Sequence, residues 1–456
     1  MNKIKIHFIG ISGIGMSGIA ELMLDRGFDI QGSDKSLNEN TKRLKKKGVN
    51  FFLNHNKSNI KNADVVVYSS AIKKNNPEIK EASKRKIPLL SRADMLAELM
   101  KNKKCIAIAG SHGKTTTTSL IGTILDQAKL DPTIVNGGII NSYSKNNRYG
   151  KGEWMVVEAD ESDGSFLKLP HEISIITNLD IEHMDFYKKK ENLFQAFEDF
   201  INKLPFYGKS IICVDDINLK NITKKIKNRE IITYSIKNKN ADVKINIVKK
   251  TKTYTDFELK INKKIFKNNQ KKKYRINTIG DHNILNASAS IIVSKLININ
   301  YISINTALKK YIGVKRRFTF LGKKKLSSIY DDYAHHPTEI RATINAAKNI
   351  NKNLVVVYQP HRYSRTKFLI KEFVDTLSKI KNLILLDTYS AGEKKIKGYE
   401  SSDLNKKIKK NNANVIYLNN EKKLNTVLSK YLDTDCLILF MGAGSITKLA
   451  RDFYLS

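Results

Sequence analysis

The chain is poor in cysteine, in long apolar runs and in aromatic residues, and each scarcity narrows what it can do. Three cysteines occur among 456 residues, Cys105, Cys213 and Cys436, far apart and without metal-ligand spacing. That odd, sparse set offers no cysteine zinc site and fits a reducing cytoplasm, where the protein is expected to reside. No segment approaches the ~18 uninterrupted apolar residues of a membrane-spanning helix, so no membrane insertion is expected. The opening "MNKIKIHFIG" enters a strand without an apolar leader, and no secretory signal is expected. Aromatic residues total 8%, few for a platform that stacks nucleic-acid bases. Acidic residues number 44 against 81 Lys and Arg, a net charge of +37. The excess is spread chain-wide, including loops such as Lys271-Lys272-Lys273. It reads as solvated surface charge that draws in anionic substrates, with no nucleic-acid partner.

What is present is strand–helix alternation, with 41% hydrophobic residues to bury several cores. Short apolar runs end in small or polar residues, as buried parallel strands do. The first block runs from "IKIHFIG" through "FDIQGSD" and "ADVVVYSSAI" to the helical "SRADMLAELM". The second opens at "KCIAIAG" and continues through "WMVVEAD", "EISIITNLD" and "KSIICVDD". Alternating stretches, "ADVKINIV" and "DFELKI", then predict antiparallel strands appended to that sheet, followed by an apolar helix in "NILNASASIIVSKLI". The third block carries "LVVVYQP", "LILLDTY", "NVIYL" and "CLILFMGAG". The expectation is an α/β protein of three domains, spanning 1–102, 103–313 and 314–456, with no solenoid repeat. Ligands should gather beyond the carboxyl ends of the strands.

Two glycine loops stand at such ends. Gly13-x-Gly15-x-x-Gly18 follows a strand and opens a helix, and Asp34 closes the next strand. The pattern suits a pyrophosphate at a helix N-terminus but does not separate a dinucleotide from a sugar nucleotide, and a tight structural turn stays open. The second loop, "AGSHGKTTTT", ends like a phosphate loop in Gly113-Lys114-Thr115, yet Ile108 stands where the first glycine belongs. Gly110 restores flexibility two residues later, and the chemistry remains: backbone amides and Lys114 for phosphates, a threonine hydroxyl for Mg²⁺. Two such loops about a hundred residues apart suggest two phosphorylated ligands.

Acids crowd the next strand ends: Glu158, Asp160, Glu161 and Asp163 in one, Asp180, Glu182, His183 and Asp185 in another. Mg²⁺ takes one or two carboxylates beside phosphates. Glu158 and His183 are the expected metal residues, and the others are expected to cap turns or support the ligands. In the third block "YDDYAHHPTEI" offers Asp331, Asp332, His335 and His336, and "YQPHRYSRTK" offers His361, Arg362 and Arg365. The arginines suit a carboxylate or phosphate. "DTYSAGEKKIKG" follows a further strand there.

These stretches, with "LPFYG" and "GVKRRF", resemble the Mur ligases of peptidoglycan synthesis in the same order over essentially the whole chain. The resemblance implies an N-terminal Rossmann-like UDP-binding domain, a central P-loop ATPase-like domain of mostly parallel sheet, and a C-terminal Rossmann-like domain on the amino-acid side. It implies ATP and Mg²⁺ as cofactors and the joining of L-alanine to the lactyl carboxylate of UDP-N-acetylmuramate through an acyl phosphate. Gly13, Gly15, Gly18, Asp34 and Ser70 would face UDP. Gly110, Ser111, His112, Gly113, Lys114, Thr115 and Thr116 would hold ATP, with Asn283 and Asn286 on its adenine side and Arg316 and Asp332 from the third domain. Thr115 and Glu158 would hold one Mg²⁺ and His183 a second; Lys114, His183, Asp332 and His335 would be catalytic. His335, His361, Arg362 and Arg365 would line the amino-acid and acyl-phosphate side. The chain departs from the family pattern at Asp281, where a basic residue is common. Competing readings are a ligase for a recycled tripeptide, an NAD-dependent oxidoreductase on the first glycine loop alone, and a basic nucleic-acid-binding ATPase.

Overall fold

A computed structural model describes residues 3–69, 71–143, 145–263, 265, 270–411 and 414–456. The chain forms two compact units. Residues 1–248, 256–277 and 283–312 make the first, and 249–255, 278–282 and 313–456 the second. The fold is α/β throughout, with two sheets in the first unit and one in the second.

The N-terminal sheet is parallel, and Lys5–Ile9 lies at its centre between Asp29–Asp34 and Val65–Tyr68. Asn50–Leu53 and Leu89–Ser91 form its edges. The first glycine loop therefore leaves the central strand where the strand order reverses, the usual place for a ligand crevice.

In the central sheet Lys104–Ala109 lies between Trp154–Glu158 and Ile173–Ile176, all parallel. Beyond Ile173–Ile176 come Lys209–Cys213 and Glu230–Ser235, then Val243–Lys250, Thr255–Ile261 and Gln270–Ile276. The chain turns back at 251–254, so the expected hairpin is present. On the other side, Thr133–Ile140 pairs antiparallel with Lys145–Arg148, a hairpin that hydrophobic patterning does not predict. Its second strand, "KNNR", is wholly polar. It exists because the helix Ile14–Asp25 covers it: Asn146 Nδ2 donates to the Ile14 carbonyl at 3.1 Å, and Asn147 lies against Gly18.

The C-terminal sheet runs Thr319–Lys324, Ser327–Asp332, Leu437–Met441, Leu354–Tyr358, Asn382–Leu386 and Ile416–Leu418. The first pair is antiparallel and the other pairings are parallel. Leu354–Tyr358 and Leu437–Met441 are buried on both faces, as "LVVVY" and "LILFM" foretell.

One buried polar group braces the N-terminal sheet. Glu78 is fully buried and accepts hydrogen bonds from Ser33 Oγ (2.6 Å), Asn59 Nδ2 (2.6 Å) and the Asn56 amide (3.2 Å). His7 and His55 lie 3.5 and 3.3 Å away. Burial would raise the Glu78 pKa, but His7, Ser33 and Asn59 outweigh it and hold it below the ordinary 4.5. Its stabilising contribution is therefore present above pH 4.5 and lost as pH falls through the depressed folded value. Glu78→Ala should cost about 3–5 kcal/mol, because it strands the buried donors. Chemical denaturation at pH 7 checks the size, and Glu78→Gln should flatten the acid limb of the stability–pH curve.

Candidate active site

The strand Lys104–Ala109 hands the chain to Gly110, which takes φ +125°. That left-handed turn lets the loop run back over the "TNLD" loop that follows Ile173–Ile176. Ser111 N donates to the Asn178 carbonyl (3.2 Å), and His112 N donates to Asn178 Oδ1 (2.8 Å). Thr177 Oγ1 and Asn178 Nδ2 both donate to the His112 carbonyl, at 2.5 and 2.9 Å. The His112 ring nitrogen Nε2 pairs with Asp180 Oδ2 at 2.8 Å. Gly113, at φ +84°, opens the helix Lys114–Gln127, and a Cβ there would lie 2.6 Å from Asn286 Oδ1. Asn286 thus sits on the phosphate loop, brought by the helix Asp281–Leu296. At the head of that helix Asp281 pairs with Lys250 at 2.5 Å.

Lys114 Nζ donates to both carboxylate oxygens of Glu161, at 2.9 and 2.8 Å, and to the Gly110 carbonyl at 2.5 Å. Burial works against its charge, yet Glu161, Asp160 and Glu158 outweigh it, so its pKa lies above the ordinary value and the ammonium stays charged. Glu161 is 1% exposed, and burial pushes its carboxyl up to about 7. Glu158 ends its strand beside Ile108, and the Gly137 amide donates to its Oε2 at 2.7 Å. Asp160 and Asp163 each accept an amide two residues on, from Ser162 and Ser165 at 3.0 Å, the turn-capping role expected of them. Thr115 and Thr116 lie buried in the first helical turn.

His183 takes φ +58° at the start of the short helix Met184–Tyr187. Its Nε2 lies 3.8 Å from Glu161 and 4.0 Å from Glu182. Glu161, Glu182 and His183 can direct ligand atoms to within 4.8 Å of one another. This oxygen-rich set suits a hard divalent cation. Sequence order alone treats Glu161 and Glu182 as supporting residues; the fold turns both toward His183.

At the first glycine loop, Gly13 opens the helix Ile14–Asp25 and Gly15 lies in its first turn. A Cβ on Gly15 would come 3.4–3.5 Å from the Arg92 side chain, a cation that the motif does not reveal. Gly18 is buried in the helix, and a Cβ there would collide with Asn147, so this glycine serves close packing. Asp34 Oδ2 accepts the Ser12 amide at 2.9 Å and braces the loop. Ser70 lies outside the described residues.

In the second unit Asp332 ends its strand 5% exposed. Its oxygens accept the Phe318 and Ala334 amides at 2.7 Å, and burial pushes its carboxyl up to about 6. Arg316 Nη2 donates to the carbonyls of Gly442 (2.9 Å) and Gly444 (3.3 Å), and its guanidinium lies 4.6 Å from the Tyr333 ring centre. The His335 and His361 rings are 5.9 Å apart. His335 Nδ1 lies 2.9 Å from the Tyr333 carbonyl, which can only accept. Arg365 Nη1 donates to His361 Nδ1 at 3.1 Å. Burial, with Arg365 and Arg362 nearby, lowers the His361 pKa to about 4, so its ring is neutral. Arg362 takes φ +69° and opens the helix Tyr363–Phe368. His335, His361, Arg362 and Arg365 therefore share one corner of this unit.

Family models match most of the chain: the Mur ligase family catalytic domain over residues 5–104, the Mur ligase middle domain over 108–294, and the Mur ligase glutamate ligase domain over 316–444. The chain is 43% identical to a UDP-N-acetylmuramate–L-alanine ligase of Aquifex aeolicus, covering 98% of this chain and 97% of that one. It is likewise 43% identical to the Rhizobium etli ligase of that name, covering 98% and 95%. Among solved structures, the UDP-N-acetylmuramate-alanine ligase of Thermotoga maritima superposes with a TM-score of 0.82 at 26% identity, covering 99% and 98%. A murein peptide ligase of Psychrobacter arcticus shares the fold, with a TM-score of 0.72 at 20% identity, covering 99% and 98%. With three consecutive domains matched and two glycine loops placed at strand ends as phosphate sites require, the chain belongs to the Mur ligase family.

Proposed function

We propose that the protein joins L-alanine to the lactyl carboxylate of UDP-N-acetylmuramate at the expense of ATP, in the cytoplasm, as a step of peptidoglycan precursor synthesis. The observation that carries this reading is the charged Lys114 set in the second glycine loop, on a chain 43% identical over 98% of its length to ligases of that name. A carboxylate is a poor acyl donor. Transfer of the ATP γ-phosphoryl group to one of its oxygens makes an acyl phosphate and releases ADP. The alanine amine then attacks the carbonyl carbon, and the tetrahedral intermediate collapses with loss of phosphate to leave the amide. Catalysis of such steps is mainly positioning and charge neutralisation.

Each task falls to named residues. The amides of Gly110–Thr116 and the Lys114 ammonium cradle the phosphates, with Asn283 and Asn286 on the adenine side. Thr115, Glu158 and His183 are the residues for Mg²⁺, with Glu161 and Glu182 as further carboxylates beside His183. When bound, the cation offsets phosphate charge. The Gly13–Gly15 turn, its helix N-terminus and Arg92 suit the pyrophosphate of the sugar nucleotide. In the second unit His335, His361, Arg362 and Arg365 would take the amino-acid and acyl-phosphate side, the arginines as cations for a carboxylate or phosphate, and Asp332 and Arg316 would serve ATP.

The deciding assay is phosphate release from ATP with UDP-N-acetylmuramate and Mg²⁺, with L-alanine or a recycled tripeptide as the amine. Release should depend on L-alanine. Dependence on the tripeptide alone would make the protein a murein peptide ligase, and dependence on neither would defeat both readings.

A further inference from the structure

The loop "DTYSAGE" after the strand Asn382–Leu386 carries none of the roles above, yet it is bound to the loop that bears His361, Arg362 and Arg365. The Tyr389 amide donates to the Pro360 carbonyl at 2.8 Å, and the Arg362 amide donates to the Tyr389 carbonyl at 2.9 Å. The Tyr389 ring lies parallel to His361, 5.6 Å between centres and 9° between planes. Gly444 presses on the Tyr389 ring, since a Cβ there would come 2.5 Å from Tyr389 Cγ. Glu393 spans the neighbouring turn. Its Oε2 accepts the Ser364 amide at 3.0 Å, its Oε1 accepts Ser364 Oγ at 2.6 Å, and Arg362 Nη1 lies 4.0 Å away. Arg362 at φ +69° and Ala391 at φ +49° both occupy the left-handed region that side chains avoid, so contacts on both loops must hold them there.

We propose that Tyr389 and Glu393 are positioning residues for the His361–Arg365 corner, a role that rests on the ligase reading and on that corner receiving the amino-acid side of the reaction. Tyr389 sets the plane of the His361 ring. Arg365 donates to Nδ1 of that ring, so Nε2 carries its hydrogen and is a donor of fixed direction. Glu393 fixes the turn from which Arg362 and Arg365 project. The two act on separate coordinates, the ring and the turn, and each can be removed without touching the residue that it positions.

The test uses the full-length protein with saturating UDP-N-acetylmuramate and ATP, and phosphate release is followed as L-alanine is varied. Tyr389→Ala and Glu393→Gln should each raise the KM for L-alanine about tenfold while the KM for ATP stays within about twofold. Tyr389→Phe, which keeps the stacked ring, should restore the wild-type KM. If Tyr389→Ala fails to fold, Tyr389→Leu, which keeps apolar bulk without the flat ring, should raise the KM for L-alanine in its place, and Ser364→Ala, which frees Glu393 from its hydroxyl partner, should raise it through the turn. An unchanged KM for L-alanine in the folded variants, or a parallel rise in both KM values, overturns the positioning role. Absence of L-alanine-dependent release from the unaltered protein overturns the ligase reading instead, and the positioning role with it.

Discussion

Lys114→Ala should fold and bind its sugar nucleotide but lose ligation, with kcat down at least about a thousandfold. The ammonium is the cation that the loop itself supplies, within reach of the Gly110 carbonyl and held by both oxygens of Glu161. Without it, charge building on the transferring phosphoryl group loses the cation that the loop places beside it. Stranding a buried carboxylate normally costs several kcal/mol. Here Glu161 has an escape: burial already pushes it up to about 7, and without Lys114 it rises further and takes up a proton. The loss should therefore fall on catalysis more than on folding. Thermal melting beside phosphate release separates the two. Lys114→Arg should not restore the rate, since a planar fork cannot replace a compact ammonium inside the loop. Normal turnover in Lys114→Ala would refute the assignment of this loop to ATP.

Gly110→Ala should damage the second glycine loop severely. The added Cβ would collide with Thr177 Oγ1 and lie 2.9 Å from the Asn178 carbonyl oxygen, at a φ of +125° that no L-residue adopts easily. Thr177 Oγ1 is held by its bond to the His112 carbonyl and the Asn178 oxygen is backbone, so the loop itself must move. Strain and overpacking together should cost about 2–6 kcal/mol. The displaced loop would lose the Ser111 and His112 bonds to Asn178. Gly48→Ala is the control. It also has a positive φ, +90°, but nothing lies within 4 Å of the added Cβ, so it should cost only about 1 kcal/mol. Equal denaturation midpoints for the two variants, or unaltered ATP binding in Gly110→Ala, would show that the loop does not depend on its contact with Thr177 and Asn178.

Much of the architecture was legible because buried parallel strands are short runs of one chemical kind. "LVVVY", "LILFM" and "ISII" announce themselves without help from partners, as do both glycine loops, since glycine is used where φ is positive or backbones approach closely. The strand Lys145–Arg148 was not legible. Nothing in "KNNR" favours a strand, and the hairpin is ordered by a helix more than a hundred residues earlier. The same limit governs the site. The order of the chemistry-bearing stretches and the residue types within them can be read along the chain: Lys114 after two glycines, acids after strands, histidines and arginines in the third block. The sequence could not rank equivalent side chains. Glu158 and Glu161 stand three apart at one strand end, yet only Glu161 closes on Lys114. Gly15 and Gly18 belong to one motif, yet one faces Arg92 and the other is filled by Asn147. Tyr389 and Glu393 carry no motif, and they gain a role only because two strand-end loops run side by side. Charge neutralisation and hydrogen bonding act over a few ångströms in space, and that distance is set by tertiary packing rather than by spacing along the chain.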